Sequence, residues 1–156
     1  VAAVREALAD GTIDVVATDH APHPAEDKDC EWDAAAAGTT GLETALSVVQ
    51  QVMVETGLLD WAGVAERMSV RPAGIGRVAG HGRPIAAGEP ANLVLVDPAA
   101  RWRVDPGALA TWGCNTAFQG STLPGRVVAT FLRGRPTVLD GELAEDAVGA
   151  DTARSW

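Results

Sequence analysis

The six residues from Ile13 to Thr18, IDVVAT, set the tightest limit on what this chain can fold into. Apart from Asp14 the run is apolar up to Thr18, and Ile13, Val15 and Val16 are β-branched. A short stretch of that kind suits a strand of a parallel sheet covered on both faces better than an edge strand. Before it, VAAVREALAD reads as the end of an amphipathic helix, with Val1, Val4 and Leu8 on one face. Gly11 fits the position just past the helix end. The charges within this helix and its lack of an apolar h-region argue against a signal peptide. The chain opens inside a helix and does not begin with Met, so we expect it to be the C-terminal part of a longer protein.

After the strand, Pro22 to Thr40 shows no period and contains Pro24 and Gly38, as in a long loop. GLETALSVVQQVMVETG then predicts a helix, with Leu42, Ala45, Leu46, Val49, Val52 and Met53 in one stripe and Gly57 as its stop. Asp60 is a good N-cap for a second helix running to Arg71-Pro72. Helix, strand, loop, helix, helix is a piece of an alternating α/β protein. From RPAGIGRVAGHGRPIAAGEP onward the character changes. ANLVLVD predicts a strand ended by Asp97-Pro98, and RVVATFLRG with RPTVLDGEL predicts a strand pair turning near Gly134. We therefore expect residues 1–76 to form an α/β part, 77–146 a small β module with its connecting segment, and 147–156 a polar tail.

Arg and Lys number 12 against 21 Asp and Glu, a net charge of −9. That balance argues against nucleic-acid binding, which needs a basic face. No apolar run approaches the ~18 residues of a membrane span. Cys30 and Cys114 show no C-x-x-C spacing, so a disulfide scaffold and a cysteine metal site are both poorly supported, and a reducing, cytoplasmic setting fits best.

The chain has 3 histidines, and two of them, His20 and His23, directly follow the strand together with Asp19. In parallel β/α folds catalytic groups sit at the C-terminal ends of strands. An Asp and a His there can ligate a metal, act as general base or hold an anion. Spacing alone leaves the plainer reading open: Asp19 as a turn cap, His20 as a core residue, His23 as a surface loop residue.

DVVATDHAPH followed by GTTGLETAL resembles the last barrel strand and loop of class I dihydroorotases, members of the amidohydrolase superfamily. GEPANLVLVDP, NTAFQGSTLPGRVVATFLRG and VLDGEL are similar to the same family's C-terminal region. The resemblance implies the C-terminal portion of a distorted (β/α)8 TIM barrel of about 250 residues, followed by a small β-sandwich portion. It implies a zinc enzyme, with one or two ions, that interconverts N-carbamoyl-L-aspartate and dihydroorotate in pyrimidine biosynthesis. Asp19 then matches the catalytic aspartate that touches zinc and carries the proton to the leaving nitrogen. His23 matches the residue that binds the substrate carboxylate, and the backbone of Ala37 and Gly38 matches a second substrate contact. The other metal ligands would lie upstream, so these 156 residues alone are expected to be inactive. The alternatives are a hydantoinase or allantoinase, or a silent subunit supporting aspartate transcarbamoylase. A homo-oligomer is a further expectation.

Several residues have structural readings. Pleat alternation would turn His20 away from Asp19, which favours a supporting role. A local Glu26–Lys28 salt bridge would fix the loop, at ~0–1 kcal/mol. Glu43 and Thr44 would serve the start of their helix. His81 reads as a loop residue, and Trp61, Trp102 and Trp112 as packing residues. In NTAF, Ala117 stands where relatives of the resembled family often have Pro, a change in backbone stiffness.

Overall fold

The structure, a computed structural model, describes residues 1–144. The expected tail at 147–156 lies outside the described residues. Helix α1 (Ala2–Asp10) ends at Gly11, whose φ of 91° is the left-handed stop the sequence predicts. The short α2 spans Ala25–Lys28. Ile13–Thr18 is not part of a sheet, contrary to expectation. A strand needs a neighbour to complete its hydrogen bonds, and among the described residues none runs beside it. Its environment is instead a bond from Val16 N to Arg67 O (3.2 Å) and one parallel bridge just beyond it, His20 with Thr39.

The long predicted helix starts later and changes pitch. α3 (Ala45–Val49) passes into a π-helical turn, Gln50–Val54, where Glu55 N donates to Gln50 O. Because regular helix begins only at Ala45, Leu42 at the head of the predicted stripe is 63% exposed. Val49 and Met53 are buried against Val64, with Leu8, Val16, Leu46 and Leu59 around them. Asp60 caps the next helix as predicted, accepting from Gly63 N at 2.7 Å. α4 (Trp61–Ala65) continues through a π-helical turn, Glu66–Val70, into α5 (Arg71–Ile75). The expected stop at Arg71-Pro72 is thus corrected. Proline supplies no N–H and crowds the preceding turn, and the wider turn before it lets the helix pass. Buried Arg67 ties this helix to α1, donating to Leu8 O (2.9 Å) and Ala9 O (3.5 Å). A cation on helix C-terminal carbonyls is favourable.

The second half forms one antiparallel sheet in the order β1-β2-β3-β4. β1 (Leu93–Arg103) runs past Asp97-Pro98 rather than ending there. An irregularity between Asp97 and Arg101 absorbs the proline, and Asp97 Oδ1 accepts from Ala99 N and Ala100 N. β2 (Thr122–Leu132) and β3 (Arg135–Leu139) turn through Arg133-Gly134, both at positive φ, as a tight hairpin requires. β4 (Glu142–Leu143) follows Asp140-Gly141, again both at positive φ. No second sheet faces this one among the described residues. The sheet docks instead on α3 and its π turn. Ser47 Oγ and Trp102 Nε1 both donate to Gly125 O, and Gln50 Nε2 donates to Pro98 O. Trp102 is therefore a packing residue, whereas Trp112 is 81% exposed and is not.

Candidate functional site

Asp19 follows the Ile13–Thr18 segment with φ at 44°. An L-residue in that region is uncommon, although Asp tolerates it better than most. The side chain is exposed and makes no hydrogen bond or ion pair with the described residues. The left-handed turn at Asp19 also removes the pleat from which His20's direction was argued. His20 is nonetheless a support, for another reason. Its Nδ1 accepts from Gly41 N (3.0 Å) and Leu42 N (3.2 Å). Two N–H donors on Nδ1 leave the proton on Nε2, which faces Thr111 Oγ1 at 3.4 Å. With Nδ1 committed to backbone N–H groups, His20 holds the chain entering α3.

His23 and the Ala37–Gly38 segment, separated by the long loop, are brought together. His23 Nε2 donates to Ala37 O at 3.0 Å, and Ala21 N donates to Thr39 O at 3.0 Å. Gly38 has φ of 107°, and a Cβ there would lie 2.6 Å from Ala21 Cβ and 3.9 Å from His23 Nε2. Only glycine lets the two segments approach so closely. Lys28 does not pair with Glu26. Its Nζ donates to Ala36 O (2.6 Å) and Gly38 O (3.0 Å), because carbonyls across the loop are better placed than a carboxylate on its own short helix. The ammonium therefore sits on the carbonyls of the segment carrying Gly38.

Glu43 also departs from expectation. Its carboxylate accepts from Ala110 N (2.9 Å) and Thr111 N (3.0 Å), well beyond its own helix start. Asn115 is a residue that sequence reasoning missed. Its side chain bonds Ala21 O, Gly38 O and His23 N. The sole signal was a polar residue in an aperiodic loop between Gly113 and Gly120. An open cleft of about 360 Å³ lies beside His23 and is lined also by Lys28, Trp112 and Asn115, within the size range of small-molecule sites. A larger cleft against the sheet contains neither Asp19 nor His23.

A catalytic zinc takes about three protein ligands. No group of three His, Cys, Asp or Glu side chains gathers among the described residues. The described residues, exposed Asp19 included, do not by themselves make a zinc site. No helix among the described residues is long and apolar enough to cross a membrane.

The amidohydrolase family model matches residues 1–137. The dihydroorotase of Streptomyces coelicolor is 68% identical over 143 residues, covering 92% of this chain and 33% of that protein. That of Leifsonia xyli is 61% identical over 150 residues, covering 96% and 34%. The Mycobacterium tuberculosis dihydroorotase is 53% identical over 141 residues, covering 90% and 33%. The chain thus spans about a third of the length of the curated relatives it matches. Among solved structures, L-hydantoinase from Arthrobacter aurescens matches with a TM-score of 0.82 and 30% identity, over 90% of this chain and 32% of that one. D-Hydantoinase from Thermus sp. matches at 0.81 and 28%, over 92% and 32%. With the family model matched over residues 1–137 and relatives at 53–68% identity along nine tenths or more of its length, the chain belongs to the amidohydrolase family.

Proposed function

We propose that this chain is part of a dihydroorotase, which interconverts N-carbamoyl-L-aspartate and dihydroorotate. The observation that carries the proposal is identity of 53–68% to proteins of that name along nine tenths or more of the chain. The hydantoinases match in fold at 28–30% identity, which favours them less. In this reading Asp19, exposed and without a hydrogen-bond partner among the described residues, accepts the proton lost by the attacking water at its carboxylate and hands it to the amide nitrogen that leaves as the ring C–N bond breaks. His23 binds the substrate carboxylate through its ring, and the Ala37–Gly38 backbone makes a second contact. Zinc, one or two ions, belongs to the reading as the cofactor the family implies. Asp19 would be one ligand, and the others would lie in the part of the relatives that this chain does not span. The same reading divides the chain into the end of a TIM barrel (1–76) and part of a β-sandwich (77–146). It is compatible with a cytoplasmic enzyme, as a homo-oligomer or with aspartate transcarbamoylase as partner.

Turnover of dihydroorotate by the full-length enzyme tests this. Asp19→Asn should lower kcat by about 10²–10⁴-fold with the thermal midpoint preserved. Undiminished turnover in that variant, or a wild-type enzyme that hydrolyses hydantoins and not dihydroorotate, would sink the assignment.

A further inference from the structure

Asn115 lies 92 residues beyond His23 in sequence, yet its side-chain amide sits across both segments of the candidate site. Oδ1 accepts from His23 N at 3.0 Å. Nδ2 donates to Ala21 O at 2.8 Å and to Gly38 O at 3.4 Å. An N–H on one side and carbonyls on the other fix which way the amide faces. The Asn115 carbonyl is engaged as well, accepting from Thr39 Oγ1 (2.7 Å) and Thr40 N (3.2 Å). Asn115 thus clamps the segment after Asp19 to the segment containing Gly38, through side chain and backbone together.

The consequence falls on the His23 ring. Its backbone is held by Asn115, and its Nε2–H by Ala37 O. The nitrogen left without a partner among the described residues is Nδ1. We infer that Asn115 is a positioning residue: it sets the separation between His23 and the Ala37–Gly38 backbone, and so the fit of the site to the substrate's carboxylate. This rests on the dihydroorotase reading above. Asn115 acts through His23 and Gly38 and need not touch the substrate.

The test is a double-variant cycle in the full-length enzyme, with steady-state kinetics on dihydroorotate. Asn115→Ser is neutral and too short to reach all three partners. It should raise KM roughly 10- to 100-fold and leave kcat within about threefold. In a His23→Ala background the same substitution should leave KM unchanged, because its effect is exerted through His23. A residue that served stability alone would lower the thermal midpoint without moving KM. Wild-type KM in Asn115→Ser, or KM effects that multiply in the double variant, would overturn the positioning role while leaving the dihydroorotase reading in place. Absence of wild-type turnover of dihydroorotate would overturn both. If Asn115→Ser does not accumulate as folded protein, Asn115→Gln carries the same prediction.

Discussion

Replacing Gly38 with alanine probes the site with the smallest possible addition. The backbone at φ 107° is one that costs an L-residue about 1–3 kcal/mol. The new Cβ would lie 2.6 Å from Ala21 Cβ, whereas two carbons rest at about 3.5–4.0 Å. The two segments must therefore part by roughly 1 Å. The bond from His23 Nε2 to Ala37 O, at 3.0 Å, would then exceed the ~3.5 Å at which a hydrogen bond is lost. The bond from Asn115 Nδ2 to Gly38 O begins at 3.4 Å and has no slack. Lys28 can follow, because its flexible stem reaches Gly38 O from outside the contact. Under the proposed dihydroorotase function, misplacement of about 1 Å at a binding group is worth on the order of 10²-fold, so kcat/KM for dihydroorotate should fall by about that factor. The strain sits on an exposed loop, and ~1 kcal/mol moves the midpoint of a 150–250-residue domain by about 2–4 °C. Steady-state kinetics and thermal unfolding of the full-length enzyme separate the two effects. Unchanged kinetics would refute the reasoning, whatever happens to the midpoint: the close approach at Gly38 would then have no bearing on the site.

Two further predictions concern the frame around the site. Arg67→Met keeps an unbranched apolar stem but removes the guanidinium donors to Leu8 O and Ala9 O; a loss of about 1–3 kcal/mol should appear as a lower urea midpoint, and an unshifted midpoint would contradict it. The backbone N–H of Thr12 donates to Asp10 Oδ1 at 2.8 Å and, with the Thr12 side chain, holds the Asp10 carboxyl below its ordinary value of 3.8. A depressed folded-state pKa gives stability that is present above the unfolded value and lost as pH falls through the folded one. Asp10→Asn should therefore flatten the fall in urea midpoint between about pH 5 and 3, and parallel curves for the two proteins would exclude the effect.

The features that could be read from the sequence are those decided within a few residues. Gly11 stops α1, Asp60 caps α4 and Gly134 turns a hairpin, because each answers a local backbone demand. Several of the failures involve partners outside the local stretch of chain. Ile13–Thr18 has strand composition but finds no neighbouring strand among the described residues. Lys28 and Glu43 were assigned to their nearest helix or charge, yet each reaches backbone groups across a loop. Periodicity marks the stripe that buries Val49 and Met53, but it does not reveal where the helix begins, and so Leu42 was misplaced. In the candidate site, Asp19, His23, Ala37 and Gly38 came from a resemblance; Asn115 did not, because nothing near it in sequence announces two segments meeting.

That asymmetry has a physical consequence for how the two halves depend on each other. Holding a residue in one backbone conformation costs about 1–2 kcal/mol. The loop from Pro22 to Thr40 is mostly exposed and contains a four-residue helix, so it buries too little of its own surface to offset that cost. Besides the pairing of His20 and Ala21 with Thr39, its support comes from residues 110–117. Asn115 bonds both of its ends, Thr40 bridges to Thr116, and Thr39 Oγ1 accepts from Ala117 N. Glu43 and His20, just outside the loop, reach Ala110 and Thr111 in the same segment. A boundary near residue 76 therefore separates groups that share one hydrogen-bonded network. The β-rich half acts as the wall against which this loop is held, and under the proposed function substitutions in it would reshape substrate binding without altering Asp19, His23 or Gly38.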